Sequence, residues 1–303
     1  MGLEVGIVGL PNSGKSTLFN ALLGRQIAHV AEYPFTTIES NAGVVEVPDE
    51  RLLKLAEIVT GTPRQTPVPS DRSSWTSRDP CSFRNDKGAS LNGPLGGSSV
   101  TVNRSLREKA SDIKIIPAAI KFIDIAGLVK DAHKGAGLGN RFLAKIRECD
   151  AILHVVREFE NPQVAHVMGS LDPQRDIEII NEELRQAGIE KPTFVYLNKE
   201  YPNELILDTI ISECYKLLNL ITMFTIEGGE QLQAWPVKQG LTIWQAAGMI
   251  HTDFQEKFIK AEVVNYEKLL AAGSYAQAKA KGQTRIEGKD YLLADGDVVT
   301  VKI

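Results

Sequence analysis

Residues 9–16 read Gly-Leu-Pro-Asn-Ser-Gly-Lys-Ser and match GxxxxGK[ST]. No other stretch restricts the fold as severely. The motif works only where a strand ends and a helix begins, because the turn must converge successive N–H groups on a phosphate at a helix N-terminus. That context is present: Val5 to Gly9 is an apolar strand run and Lys15 to Leu23 opens a helix. Gly9 and Gly14 are expected to make the turn, Lys15 to reach the β and γ phosphates, and the Ser16 hydroxyl to sit on Mg2+. Asn12 lies inside the loop, where its side chain either helps to coordinate a monovalent cation or makes an Asx turn.

Two further segments fit a nucleotide switch. Tyr33-Pro34-Phe35-Thr36-Thr37-Ile38 follows the first helix at the distance of a switch I, and one of its threonines would complete the Mg2+ shell. Ile123-Asp124-Ile125-Ala126-Gly127 ends an apolar strand with DxxG: Asp124 would hold Mg2+ through water, and the Gly127 N–H would meet the γ-phosphate. Leu128 follows, where many GTPases place the glutamine that orients water. His133, in the following glycine-rich segment, is the candidate substitute; an exposed loop imidazole is the alternative.

Strands alternate with helices on both sides of one anomalous stretch. Ala42 to Val47, Ile120 to Ile125, Ala151 to Val156 and 192 to 198 read as strands, with helices at Asp49 to Val59 and Leu138 to Arg147, which predicts an α/β domain with a mostly parallel sheet. Between them, residues 61–110 hold nine Ser, five Gly and five Pro against six Val or Leu. Such a segment cannot bury enough apolar surface to order itself, so a disordered insertion is expected. It carries eight Lys or Arg against four Asp or Glu, and a basic RNA-binding tail is the sharper reading of the same residues. From about Leu220 the pattern changes to strand, strand, helix, strand, a helix over YEKLLAAGSYAQAKA, then strands around YLLADGDVVTVKI, a small α+β module.

Formal charge is -4, so the chain has no global basic field for nucleic acid, and sequence-specific DNA binding is not expected. Three cysteines without CxxC spacing argue against a disulfide framework or a zinc site. With no basic leader and no long apolar run, a cytoplasmic protein that does not span a membrane is expected.

The segments GIVGLPNSGKSTLFNALL, YPFTTIE, FIDIAGLVK and GLGNRFLAKIRECDAILHVVR, with LLNLITMFTIEGGEQLQAWPVKQG, AGMIHTDFQEKFIKAEVVNYE and RIEGKDYLLADGDVV in the tail, resemble the YchF or Obg-like ATPase family. The resemblance implies a doubly wound TRAFAC-class P-loop (OBG-type G) domain over 1–219 and a C-terminal TGS domain, a ubiquitin-like β-grasp module, over 220–303. It implies ATP hydrolysis, often with GTP also accepted, and association with the large ribosomal subunit. By the same resemblance the ATP loop comprises Asn12, Ser13, Gly14, Lys15, Ser16 and Thr17, and Mg2+ falls to Ser16 and Thr37. The absent switch II glutamine is a family trait.

Three departures stand against this pattern. The 61–110 insertion occupies a short family link; the family's helical hairpin after DPQRDIEIINEELRQAG is absent; and the base-reading motif reads Asn198-Lys199-Glu200-Tyr201, with Glu one place early. Asn198 and Glu200 are the candidates for the base. A strand and a helix that should close over the base are also missing before ISECYKLLNLITMFT. The leading expectation is a Mg2+-dependent nucleoside triphosphatase; the alternative is a catalytically impaired nucleotide- or ribosome-binding module with an incomplete base site.

Overall fold

The computed structural model describes residues 3–24, 41–60, 113–125, 138–161, 163–199 and 201–303, side chains 138–141 excepted. The expected insertion 61–110, Thr37, Gly127, Leu128, His133 and Glu200 lie outside the described residues.

The first sheet is built from β1 (Glu4–Val8), β2 (Ala42–Glu46), β4 (Ala119–Asp124), β5 (Ala151–Arg157) and β6 (Thr193–Asn198), in the order β2-β4-β1-β5-β6. Only β2 runs antiparallel to its neighbour. Crossover helices α3 (Leu138–Glu148) and α4 (Pro173–Gln186) join the parallel strands, as a doubly wound sheet requires, and α1 (Lys15–Leu23) leads from β1 toward the antiparallel β2. Strand β1 is central, and its Gly6 pairs with Ile123 on one side and Ile152 on the other. A side chain at Gly6 would meet Ile125 at 2.7 Å and Cys149 at 3.0 Å. The phosphate loop thus leaves the middle of the sheet at its carboxyl edge, where open α/β sheets bind ligands.

Helix α2 (Glu50–Thr60) buries Leu52, Leu55 and Ala56, one stripe at helical spacing. That stripe joins a core that also contains Phe224, Leu232, Tyr266 and Leu269 of the tail. The second sheet is built from β3 (Lys114–Ile116), β7 (Leu220–Glu227), β8 (Gln231–Lys238), β9 (Lys260–Asn265), β10 (Arg285–Glu287) and β11 (Asp297–Lys302), in the order β10-β9-β11-β7-β8-β3. Parallel β7 and β11 form its centre, and the antiparallel partners β8 and β9 flank them. This is the α+β tail expected from the sequence, with one addition. Strand β3 (Lys114–Ile116) pairs in parallel with β8, so a piece of the first 219 residues completes the sheet of the tail.

The expected single helix over YEKLLAAGSYAQAKA is two helices, α8 (Tyr266–Ala272) and α9 (Tyr275–Ala280). Gly273 at φ 83° ends the first in the left-handed conformation, and Ser274 caps the second by accepting from the Gln277 N–H. Helices α6 (Ile243–Ile250) and α7 (Thr252–Glu256) cover the opposite face, where Trp235, Ile243, Ala246 and Phe258 form a second core.

Among the described residues, strand β6 is an open edge. Ile152 donates to the Pro192 carbonyl and Glu158 to that of Asn198, so the even-numbered residues turn their main-chain groups to β5. Thr193, Val195 and Leu197 turn theirs outward. A strand of a parallel sheet is ordinarily covered on both faces, yet Phe194, Val195 and Tyr196 are only half-buried and Leu197 is 38% exposed. The next helix, α5 (Glu204–Leu217), begins six positions after Asn198, capped by the Asn203 side chain on the Ile206 N–H, and packs beneath β6 without extending the sheet.

Candidate nucleotide site

The loop between β1 and α1 has no room for side chains at its glycines. A Cβ on Gly9 would lie 2.3 Å from the Val155 carbonyl oxygen, and one on Gly14 would lie 2.2 Å from Asn198 Nδ2. Gly14 caps α1 at φ 93°, and Asn12 holds φ 64°. Successive residues in these conformations point amide groups into one concavity, the geometry of an anion nest.

Lys15 is 7% exposed, and its Nζ donates to the Leu10 carbonyl oxygen at 2.9 Å. Ser16 Oγ donates to Asp124 Oδ2 at 3.4 Å. Burial lowers the Lys15 ammonium from its ordinary value against the pull of Asp124. It also raises Asp124 against the opposing effects of Lys15 and Ser16. Asp124 Oδ1 and Ser13 Oγ are buried without hydrogen-bond partners among the described residues. Orphaned oxygens beside a buried ammonium fit a site that receives a phosphate and a hard cation: a hydroxyl and a carboxylate are the oxygen donors Mg2+ prefers. Thr17 is exposed on the first turn of α1.

Asn198 sits closer to the phosphate loop than its motif suggests. It is 5% exposed, its Nδ2 donates to the Ser13 carbonyl at 3.0 Å, and its Oδ1 is buried without a partner among the described residues. Lys199 reaches Glu158 at 3.6 Å, and Tyr201 is 73% exposed.

Sequence reasoning passed over the polar residues of β5 and the loop behind it. His154 is 1% exposed, its Nδ1 lacks a partner among the described residues, and burial with help from Lys15 pushes it down to about 4. Arg157, 4% exposed, donates Nε to the Phe159 carbonyl at 3.0 Å and stacks on that ring at 4.6 Å. The Phe159 ring in turn lies beside Gly14. The signal was available: His and Arg interrupt the otherwise apolar AILHVVR, and a parallel central strand has no solvent face for them. Cys149 and Cys214 are buried and burial pushes each up to about 12, so neither thiol is reactive in the folded chain. No helix among the described residues is long and apolar enough to cross a membrane.

The comparisons with known proteins agree with this geometry. A family model described as a 50S ribosome-binding GTPase matches residues 4–199. The model of the YchF GTPase C-terminal region, described as a protein of unknown function, matches residues 220–303. The ribosome-binding ATPases YchF of Bacillus subtilis and of Escherichia coli O157:H7 are each 32% identical to the chain, covering 99% of it and 98% of their own length. The alignment with the B. subtilis protein runs over 413 positions, against 303 residues in this chain, so the relative fills more than a hundred positions alone. The solved Schizosaccharomyces pombe YchF GTPase superposes with a TM-score of 0.67 at 24% identity, over 99% of this chain and 98% of that one, a likeness of fold. Curated YchF relatives that match at 32% identity over nearly their whole length, with both family models matched in chain order, place the chain in the YchF family.

Proposed function

We propose that this chain is a Mg2+-dependent P-loop nucleoside triphosphatase that hydrolyses ATP, accepts GTP, and associates with the large ribosomal subunit in the cytoplasm. The observation that carries the reading is the buried Lys15 ammonium held within the glycine loop, with Ser16 and Asp124 3.4 Å apart beside it. Lys15 leaves the Leu10 carbonyl for phosphate oxygens, and the loop amides hold the charge that grows on them in the transition state. Ser16, Thr37 and Asp124, the last through water, would hold Mg2+, which neutralises phosphate charge when bound. The Gly127 N–H would meet the γ-phosphate, and His133 would orient water in place of the absent glutamine. A monovalent cation at Asn12 is part of the same proposal. The nucleotide part would comprise residues 1–219, with 61–110 as an insertion, and a TGS domain would comprise 220–303.

A second reading, a nucleotide- or ribosome-binding module with impaired catalysis, draws on the short link between β6 and α5. That link leaves Asn198 and Glu200 little chain with which to close over a base. Phosphate release measured with and without Mg2+ decides between the two, with Lys15→Ala as the control. Release that requires Mg2+ and vanishes in the variant supports the hydrolase. Tight nucleotide binding without release supports the module. Titration with labelled ATP and GTP analogues sets the base preference, and equal, weak affinity for both would refute an ATP-specific site.

A further inference from the structure

Asn12 is one of two non-glycine residues with positive φ among the described residues, and it is the one inside the phosphate loop. Asparagine tolerates this region better than most residues, but it stays there only when its surroundings hold it. The contact that holds it comes from the loop behind β5: Asn12 Nδ2 donates to the Ala165 carbonyl oxygen at 3.0 Å.

The adjoining His166 is locked at both ring nitrogens. The Met168 N–H donates to Nδ1 at 3.2 Å, and Nε2 lies 2.8 Å from Asp176 Oδ2. An accepting Nδ1 puts the proton on Nε2, which therefore donates to the carboxylate. His166 and Asp176 side chains are 8% and 4% exposed, so water competes little for this bond. The Arg175 guanidinium holds the other oxygen of Asp176 at 3.1 Å and ties Ser170 Oγ at 2.9 Å, closing the loop onto the first turn of α4.

We propose that His166 is a positioning residue for the nucleotide site: clamped by Asp176, it fixes the Ala165 carbonyl that keeps Asn12, and with it the phosphate loop, in binding conformation. The proposal rests on the reading of that loop as a nucleotide site. Nothing in it requires His166 to touch nucleotide.

The test is a double-mutant cycle in the full chain, titrated with a fluorescent ATP analogue and Mg2+. His166→Ala and Asn12→Ala are each expected to weaken binding by about tenfold. The double variant should be no weaker than Asn12→Ala alone, because His166 acts through Asn12. His166→Gln, which keeps an N–H donor for Asp176, should recover part of the loss. Additive losses, or full affinity in His166→Ala, overturn the proposal. Amide exchange without nucleotide separates it from the reading it rests on. His166→Ala should speed exchange at Ser13 and Gly14 while β1 stays protected, and unchanged exchange there also overturns the clamp. Wild-type protein that fails to bind the analogue would overturn the nucleotide reading itself, and with it the role assigned to His166, whatever the exchange shows.

Discussion

Asn198 fills the volume that a side chain at Gly14 would need: its Nδ2, which donates to the Ser13 carbonyl, lies 2.2 Å from where that side chain would begin. The motif glycine and the motif asparagine, 184 positions apart in the chain, are one packing unit. Gly14→Ala must therefore displace Asn198 as well as strain a backbone at φ 93°. Nucleotide affinity is expected to fall by at least about tenfold, while Asn198→Ala in the same background restores space without restoring the bond. Titrating both variants with the labelled analogue checks this; equal losses in the single and double variants would show that backbone strain alone decides the effect.

His154 makes stability depend on pH. Its folded value is pushed down to about 4 from an ordinary 6.5, so between those values the unfolded chain takes up a proton that the folded chain refuses. Stability from this group is complete above pH 6.5 and is lost as pH falls toward 4, by roughly 3 kcal/mol at most. His154→Leu keeps the volume and removes the titration. Urea midpoints at pH 7 and pH 4.5 should lie closer together in the variant than in the wild type.

Arg51 joins the two halves of the chain. Its guanidinium binds Asp49 at 2.8 Å and Asp295 of the tail at 2.7 Å and lies 5.2 Å over the Phe224 ring. Asp295 also accepts from the Thr222 N–H at 2.8 Å, and Tyr215 bonds Thr222 Oγ1 at 2.9 Å. Asp295 is half exposed, so the ion pair itself is worth little; the lost acceptor for Thr222 matters more. Asp295→Ala is expected to cost about 1–2 kcal/mol in equilibrium unfolding. Arg51→Lys, which keeps the charge and leaves Asp295 as the acceptor for Thr222 but loses the two-pronged geometry, should cost less than Asp295→Ala.

The open edge of β6 is expected to self-associate. It has no charge or proline between Thr193 and Asn198, and Leu197 is exposed beside outward main-chain groups. Leu197→Lys should lower the concentration-dependent mass seen by light scattering. Val195→Pro should do the same without unfolding the sheet, because the Val195 N–H faces away from β5 and no ladder bond is lost.

How far the sequence could be read follows from where each determinant lies. The phosphate loop, its flanking strand and helix, and Asp124 at a strand end are local patterns, because turn chemistry and periodicity act over a few residues. Ser16 meets Asp124, and the buried Lys15 ammonium feels the same carboxylate. The break at Gly273-Ser274 was also local, but the long helical periodicity masked it. Asn198 turned toward Ser13, and the Ala165 carbonyl turned toward Asn12, could not be read at all: each depends on which strands neighbour one another in space, not on spacing along the chain. The shortened link after Asn198 was legible as well, and among the described residues β6 ends the sheet with no strand beyond it.

Strand β3 carries a different consequence. Its residues 114–116 meet Gln231–Gln233 across 117 positions of chain, and Ile116 is buried there. During synthesis β3 emerges long before its partner β8, so the second sheet closes only when the tail is complete. A fragment begun at residue 220 would lack its outermost strand, and one ended at 219 would carry that strand with nothing to pair with it. A cut at residue 220, where the match to the C-terminal family model begins, would therefore part β3 from the sheet it completes.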